Sequence, residues 1–190
     1  MQRVLLIDNY DSFTYNLVHA IEAVIDKSVT VRKNDQVSLE EIAAYNYLVL
    51  SPGPGLPDEA PNLKDIIRLY GPSKKILGVC LGLQAIGEVY GCQLINLDQV
   101  YHGMQSEATQ MAESKILNGL PEKLLVGRYH SWVIDEETLV DDLVVTSRDG
   151  DGQIMSIEHK QHKVYGVQYH PESIMTPEGS ALLANFLSIE

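Results

Sequence analysis

The sequence is poor in cysteine and has no long hydrophobic run. Its 190 residues include two cysteines, Cys80 and Cys92, which are too few for the disulfide framework of a small secreted protein. Every apolar run is shorter than the roughly 20 residues that a membrane span requires. The chain starts with Met1-Gln2-Arg3 and then enters an apolar segment, without the pattern of a cleavable signal. We therefore expect a cytoplasmic protein with reduced cysteines and no membrane partner.

Positive charge is also scarce. Lysine and arginine number 14 against 26 aspartates and glutamates, so the formal net charge is −12. A surface this acidic repels phosphates, and we expect no nucleic-acid partner. The hydrophobic content of 45% with 21% charged residues is ordinary for a globular chain. We predict a single domain over residues 1–190.

The most informative segment that is present is Gly78-Val79-Cys80-Leu81-Gly82. A cysteine with a glycine two residues away on each side, after an apolar run, matches the nucleophile elbow, in which a strand turns sharply into a helix. Side chains at the glycine positions would collide with the neighbouring strand and helix. The sulfur then faces the helix N-terminus, which favours the thiolate. Cys92 has no such flanks, and we interpret it as a buried structural residue.

A base for this nucleophile is predicted at His170. Pro171 biases His170 towards an extended backbone, and residues two apart in extended chain project the same way, so Glu172 lies beside the imidazole. A carboxylate there orients the ring and stabilises its charged form. Cys80, His170 and Glu172 are therefore a candidate catalytic triad, drawn from the ends of two strands of one parallel sheet. Without the elbow, this segment would be more simply a solvated turn.

A rigid loop is predicted over residues 51–57, Ser-Pro-Gly-Pro-Gly-Leu-Pro, after the apolar run Tyr47-Leu48-Val49-Leu50. Its prolines and glycines continue neither a helix nor a central strand. Glycine N–H groups exposed there are suited to stabilising the oxyanion of an acyl-transfer reaction.

The order of apolar and amphipathic segments predicts an α/β fold with a mostly parallel central sheet and helices on both faces. The predicted strands are 4–7, 29–32, 47–50 and 76–79, and the predicted helices are 13–24, 39–43, 63–70 and 177–187. From Cys92 to about Val167, turn signals between β-rich pieces predict antiparallel additions.

The polar segment from Asp8 to Thr14 admits two interpretations. Its acidic and hydroxyl side chains suit a metal or phosphate site, but such residues more often cap a helix. We favour capping, with Asp11 or Ser12 accepting N–H bonds at the helix start. No metal is required by this chain.

Together these motifs resemble the class I, or triad, glutamine amidotransferases, and in particular the small subunits of anthranilate synthase and aminodeoxychorismate synthase. Besides the segments above, the resemblance rests on residues 6–17, His102-Gly103 and Arg128-Tyr129-His130-Ser131, and it spans nearly the whole chain. It implies a flavodoxin-like α/β fold, hydrolysis of the glutamine side-chain amide and no cofactor.

The resemblance also implies a role for each matching position. Cys80 is the nucleophile, His170 the general base and acid, and Glu172 the residue that orients it. The N–H groups of Gly53 and Leu81 form the oxyanion hole. The other implied residues are the glutamine-binding positions Gly53, Pro54, Gly55, Gln84, Ser131 and Trp132, and the partner contacts Tyr10, Ser12, Tyr15, His102 and Gly103.

The implied partners are L-glutamine and the large subunit of a synthase that aminates chorismate. Anthranilate synthase, in tryptophan biosynthesis, is favoured over aminodeoxychorismate synthase, in folate biosynthesis, although one small subunit can serve both. Two further hypotheses stay open: a related cysteine hydrolase acting on γ-glutamyl or peptide bonds, and an inactive flavodoxin-like regulatory module.

Overall fold

The computed structural model describes residues 2–190, which form a nine-stranded mixed sheet, a separate two-stranded sheet and five α-helices. The strands are β1 Val4–Asp8, β2 Thr30–Lys33, β3 Tyr47–Leu50, β4 Lys75–Val79, β5 Leu94–Asn96, β6 Met104–Gln110, β7 Lys123–Arg128, β8 Trp132–Ile134, β9 Leu143–Asp149, β10 Ile154–His159 and β11 Val164–Val167. The helices are α1 Thr14–Ile25, α2 Leu39–Ile42, α3 Leu63–Tyr70, α4 Leu81–Tyr90 and α5 Gly179–Ser188. Short 3-10 turns occur at Pro57–Glu59 and Glu136–Thr138.

The large sheet has a parallel half and an antiparallel half. Its strand order is β2-β1-β3-β4-β11-β10-β9-β6-β7. All neighbours from β2 to β11 run parallel, and all neighbours from β11 to β7 run antiparallel. The predicted α/β class and the antiparallel additions are therefore confirmed.

Helices cover both faces of the parallel half because its strands are apolar on both sides. Along β1, Val4 and Leu6 pack into one buried cluster with α1 and α5, while Leu5 and Ile7 pack into another with α3 and α4. Strands buried on both faces have continuous apolar sequences, and their positions were therefore predicted well from the sequence. The prediction of a single domain stays a prediction.

Several boundaries and one pairing differ from the sequence prediction. Strands β1 and β4 are each one residue longer than predicted, α1 lies one residue later and α2 is one residue shorter. Strand β2 lies one residue later than 29–32. The antiparallel additions were predicted to extend to about Val167, and β11 does pair antiparallel with β10, but it also pairs in parallel with β4, as the prediction of Cys80 and His170 at the ends of two strands of one parallel sheet requires. The last helix begins at Gly179 and not at Pro177. Residues 176–179 form a turn before it, in which the Gly179 N–H donates to the Thr176 carbonyl. Gly179 lies so close to the Pro171 backbone that a side chain would not fit, so the helix start is set by packing.

Candidate active site

The nucleophile elbow forms as the glycines predicted. Strand β4 ends at Val79, helix α4 begins at Leu81, and Cys80 between them has φ 52° and ψ −101°. A Cβ on Gly82 would lie 2.7 Å from the Leu50 carbonyl oxygen, and a Cβ on Gly78 would overlap the Gly82 backbone. Only glycine permits strand and helix to approach this closely. The turn leaves Cys80 at the N-terminus of α4.

His170 reaches the same edge of the sheet because β11 is the neighbour of β4. The register pairs Val167 with Val79, and the Cys80 N–H donates to the Val167 carbonyl at 2.8 Å. Beyond β11, the His170 N–H donates to the Gly127 carbonyl at 3.0 Å, and the Thr176 hydroxyl donates to the His170 carbonyl at 2.7 Å. The backbone of His170 is thus held on both sides.

Glu172 lies beside the His170 ring, but the predicted extended backbone is wrong, because residues 170–173 form a turn in which the Ser173 N–H donates to the His170 carbonyl at 3.2 Å. Nδ1 of His170 lies 2.7 Å from Oε1 of Glu172, and both side chains are buried. The opposite ring nitrogen, Nε2, makes no hydrogen bond to another described residue. Because Nδ1 is occupied by the carboxylate, Nε2 is the nitrogen that remains for chemistry.

The pKa of His170 is raised to about 10. Burial by itself lowers it, but hydrogen bonding and charge interactions with Cys80 and Glu172 together outweigh burial. Nε2 makes no hydrogen bond of standard geometry to Sγ, so we attribute the Cys80 contribution to charge attraction rather than to a formed hydrogen bond. The ring therefore carries a proton at neutral pH.

A cavity of about 340 Å³ opens beside the sulfur. Its lining includes three kinds of predicted residue. These are the triad members Cys80 and His170, the glutamine-binding positions Gly53 and Pro54, and the expected partner contacts Tyr10, Ser12 and His102. Asp11, Phe13, Pro52 and Tyr129 complete it. A larger cavity of about 850 Å³ lies beside the end of α5, but its lining contains neither cysteine nor histidine.

The remaining predicted glutamine-binding residues lie outside this cavity. Nε2 of Gln84 donates to the Trp132 carbonyl at 2.9 Å. Trp132 lines a separate cavity of about 440 Å³ together with Leu56. Gly55 has φ +73°, which few side chains tolerate, and Ser131 accepts the Leu97 N–H at 2.7 Å through its carbonyl.

Gly53 and Leu81, whose N–H groups are the expected oxyanion donors, belong to segments that pack against each other. A Cβ on Gly53 would be 2.8 Å from the Leu81 side chain and 2.7 Å from the Asn9 carbonyl, so the loop backbone packs directly against the start of α4. Leu81 is the first residue of that helix, where an N–H has no partner within the helix. Within residues 2–190 neither N–H donates a hydrogen bond.

Three of the five predicted partner contacts, Tyr10, Ser12 and His102, line the cavity, and Tyr15 and Gly103 do not. Tyr10 and Tyr15 are 49% and 62% exposed, and Ser12 and His102 are also exposed. Tyr10 has φ 63°, and its hydroxyl donates to the Asp35 carboxylate at 2.8 Å while Lys33 Nζ lies 4.0 Å above its ring. Gly103 is partly buried beside the Tyr129 ring. The Tyr10 ring is therefore held in an exposed position.

Sequence reasoning missed the aromatic wall of the site. The His170 ring lies 4.8 Å from the Tyr129 ring and 6.0 Å from the Phe13 ring, measured between centroids. Both residues belong to segments on which the family resemblance rests, but no pattern in their neighbouring residues predicts a contact with His170. A third omission is Gln168, whose Nε2 donates to Sγ of Cys80 at 3.5 Å. Its signal was its position two residues before His170.

The polar segment before α1 forms a hydrogen-bonded turn, and the N-cap residue Phe13 has no side-chain cap bond, so the favoured capping is confirmed only in that Asp11 accepts an N–H bond at the predicted helix start. Oδ2 of Asp11 accepts the Phe13 N–H at 2.7 Å. Oδ1 of Asp8 accepts the Tyr10 N–H at 2.9 Å and the Thr14 hydroxyl at 2.8 Å, and Ser12 accepts none of these bonds. Burial raises the pKa of Asp11, which faces His170.

A buried arginine lies behind the site. Arg128 is paired with Asp149 at 2.6 Å, its Nε donates to Nε2 of His130 at 3.1 Å, and the Tyr101 ring lies 3.5 Å from its guanidinium carbon. Burial above all, and the Arg128 charge, lower the pKa of His130 to about 3. His130 is therefore neutral, and its Nδ1–H donates to the Trp132 carbonyl at 3.2 Å.

Among residues 2–190, no group of three or more histidine, cysteine, aspartate or glutamate side chains is placed to hold a metal ion. In the same part of the chain, no helix combines the length and apolar character needed to cross a membrane.

The family model for class I glutamine amidotransferases matches residues 5–189. The chain belongs to the class I glutamine amidotransferase family. Its enzyme class is therefore that of a glutamine amidotransferase, and its relatives include proteins named for anthranilate synthase, for aminodeoxychorismate synthase and for both.

Anthranilate synthase component 2 of Lactococcus lactis is 46% identical over 97% of this chain and 93% of its own length. Aminodeoxychorismate synthase component 2 of Klebsiella aerogenes is 44% identical over 97% of this chain and 99% of its own. The bifunctional protein TrpGD of Thermotoga maritima is 41% identical, and the chain spans about one third of it (33%). A crystal structure from Thermoplasma acidophilum, named as a GMP synthase subunit, superposes with a TM-score of 0.86 at 25% identity, over 98% of this chain and 92% of that one.

Proposed function

We propose that this amidotransferase hydrolyses the side-chain amide of L-glutamine through a thioester on Cys80 and delivers the ammonia to a synthase that aminates chorismate. The observation that carries the proposal is the placement of Cys80 at the tip of the elbow, in one cavity with a His170 ring whose Nδ1 is bound to Glu172.

In the first step, the Cys80 thiolate attacks the carboxamide carbon, and the carbonyl becomes a tetrahedral oxyanion. The N–H groups of Gly53 and Leu81 stabilise that charge. The raised pKa of His170, about 10, keeps the ring protonated at neutral pH, so it is ready to act as an acid. It transfers its proton to the amide nitrogen as the C–N bond breaks, and ammonia leaves.

In the second step, the neutral His170 ring takes a proton from water, and the hydroxide attacks the γ-glutamyl thioester. The C–S bond breaks, glutamate leaves, and the thiolate and imidazolium are restored together. Glu172 keeps the same ring nitrogen facing the reaction in both steps.

Glutamine is proposed to lie between the 51–57 loop and the start of β8. Gly53, Pro54 and Gly55 provide backbone groups on one side, with Gln84, Ser131 and Trp132 on the other. Gln84 is 3% exposed and tied to the Trp132 carbonyl, so it would shape the pocket more than it would adapt to the ligand.

The synthase is proposed to cover the mouth of the cavity and keep the ammonia from water. Support comes from the exposed Tyr10 and Tyr15 and from Ile174, which is 96% exposed two residues after Glu172. Ser12, His102 and Gly103 complete this surface. Apolar groups left exposed at the rim of a site are typical of a protein interface.

The decisive test is the substitution Cys80→Ser, assayed as glutamine-dependent amination in the presence of the synthase. We expect turnover to fall by about 10³-fold or more, because the hydroxyl has no comparable anionic form. Amination from added ammonium should persist, since the synthase is intact. The matched control is Cys92→Ala, and normal glutamine turnover by Cys80→Ser would reject the proposal.

We favour anthranilate synthase as the partner, with aminodeoxychorismate synthase as the alternative, because the names of the relatives support both. Mixing the chain with each large subunit separately, and measuring glutamine-dependent product, decides between them. Activity with both would mean that this chain serves both synthases. Hydrolysis of γ-glutamyl peptides in preference to glutamine would favour the cysteine hydrolase, and no labelling of Cys80 by a glutamine-analogue electrophile would favour the inactive module.

A further inference from the structure

Gln168 is a fully buried polar residue that the mechanism above does not use. It directly follows β11, and its backbone N–H donates to the Met155 carbonyl at 2.8 Å. Its side-chain Nε2 donates to Sγ of Cys80 at 3.5 Å. His170, two residues later in the same segment, shares the cavity that Cys80 lines, so both side chains reach the region of the one sulfur.

The direction of the Gln168 amide is fixed by its neighbours. The Trp132 carbonyl can only accept, so the NH₂ group of Gln84 must face it, at 2.9 Å. The same Nε2 of Gln84 donates to Oε1 of Gln168 at 3.4 Å. With its oxygen engaged there, Gln168 must turn its NH₂ group to the sulfur of Cys80.

The far end of this chain of hydrogen bonds is anchored by Arg128. A guanidinium only donates, so its bond to Nε2 of His130 places the imidazole proton on Nδ1, which donates to the Trp132 carbonyl. Arg128 itself is held by Asp149 at 2.6 Å. The acceptor that orients Gln84 is therefore held in place from behind.

The energetic consequence depends on whether the sulfur is ionised. A thiol is a weak hydrogen-bond acceptor, so a buried amide donor aimed at it is poorly satisfied. A thiolate accepts a charge-assisted bond, which is about twice as strong as a neutral one. Turning a buried N–H towards Sγ therefore stabilises the folded state more when Cys80 is ionised.

We propose that Gln168 is a fourth catalytic residue, a neutral donor that contacts the nucleophile and stabilises the Cys80 thiolate alongside His170. The inference rests on the proposed function, since it concerns the same sulfur. Gln168 contacts the sulfur from its buried side, whereas His170 lies on the side of the open cavity.

The test is the pH dependence of Cys80 alkylation by iodoacetamide, with the modified cysteine identified by mass spectrometry. In Gln168→Met, which keeps the length and loses the donor, we expect the midpoint to move up by about 0.5–1 pH unit. The other titratable groups facing the cavity are Tyr10, Asp11, His102, Tyr129 and His170, and Glu172 lies behind His170. None of them is changed.

Two further variants separate this role from a general loss of packing. Gln84→Met removes the group that orients Gln168, and we expect a smaller shift in the same direction. Gln105→Met removes an exposed donor to the Met175 carbonyl, away from the sulfur, and should leave the midpoint unchanged. Circular dichroism and thermal unfolding establish that each variant is folded, and Gln84→Met carries the test if Gln168→Met is not.

A folded Gln168→Met protein with the wild-type midpoint would overturn the inference, as would an equal shift in Gln105→Met. Failure of the proposed function gives a different result. In that case the wild-type chain with its synthase would not use glutamine, while the alkylation midpoints of the variants would still report on Gln168.

Discussion

Two buried histidines, one in each half of the sheet, differ in charge although both are almost inaccessible to water. His170, after β11, is 3% exposed, and His130, after β7, is 6% exposed. Burial lowers the pKa of both rings. Interactions with Cys80 and Glu172 then raise the pKa of His170 to about 10, whereas the Arg128 cation helps to lower that of His130 to about 3.

The comparison teaches that burial by itself favours a neutral histidine, and that anionic neighbours are needed to make a buried ring carry a charge. The parallel half places Cys80 and Glu172, which are or become anionic, beside its histidine, so the ring keeps its proton at neutral pH. The antiparallel half surrounds its histidine with a cation, which fixes one tautomer and makes it a structural donor. The predictions below alter each side of this contrast.

The largest effect is expected from Glu172→Gln, which removes the anion beside His170. We expect glutamine-dependent turnover to fall by about 10³-fold, because the amide neither stabilises the imidazolium nor enforces one tautomer. The pKa of His170 should also fall, so activity should decline at a lower pH than in the wild type. Steady-state kinetics across pH measure both effects. The exposed Glu137→Gln is the control, and a loss below about tenfold would contradict this account.

The next effect concerns stability. Arg128→Met leaves the Asp149 carboxylate buried without its cation, which costs about 3–5 kcal/mol of unfolding free energy. Urea unfolding measures this. The double variant Arg128→Met/Asp149→Asn should recover most of the loss, because no charge then remains unpaired and Oδ1 still accepts the N–H groups of Asp151 and Gln153. A cost under about 1 kcal/mol for the single variant would mean that the pair behaves like an exposed one.

The pH dependence of stability sharpens the contrast between the rings. Since the pKa of His130 is about 3 when folded and about 6.5 when unfolded, the unfolded chain binds the extra proton between these values, and stability falls as pH falls. From pH 7.5 to pH 5 this amounts to about 2 kcal/mol. In His130→Gln, the free energy of unfolding should no longer fall by this amount between pH 7.5 and pH 5. Urea unfolding at several pH values measures the difference.

The pH dependence that His170 adds to the free energy of unfolding has the opposite sign. Its raised pKa stabilises the folded state fully below pH 6.5, and this contribution is lost as pH rises towards 10. His170→Asn should therefore flatten the alkaline side of the stability profile and leave the acid side as it is. An acid-side change in His170→Asn equal to that in His130→Gln would break the comparison.

The smallest effect is expected at the second cysteine. Burial raises the pKa of the Cys92 thiol, so iodoacetamide at neutral pH should modify Cys80 and leave Cys92 unmodified. Cys92→Ala should keep glutamine turnover within about twofold and cost on the order of 1 kcal/mol of stability. Peptide mapping after brief alkylation measures the selectivity, and equal modification of both thiols would show that Cys92 is not protected.

The elbow, the segment with His170 and Glu172, and the parallel strands were predictable because each depends on a short contiguous stretch of residues. Glycines at 78 and 82 permit one close crossing, Pro171 sets one backbone conformation, and strands buried on both faces are apolar throughout. The parallel pairing of β11 with β4 was predicted only through the expected meeting of Cys80 and His170, and not from the residues of β11 themselves. The antiparallel pairing of β11 with β10 on its other side makes it the strand where the two halves of the sheet join.

The sequence by itself determined which residues can carry the chemistry, since a sulfur nucleophile, a base and an orienting carboxylate are identified by residue type and short spacing. Only the tertiary structure decided their states. The charge of His170, the neutrality of His130 and the direction of the Gln168 amide depend on partners between 2 and about 90 positions away in the chain. Electrostatic and hydrogen-bond energies depend on distance in space, and local sequence patterns do not report that distance.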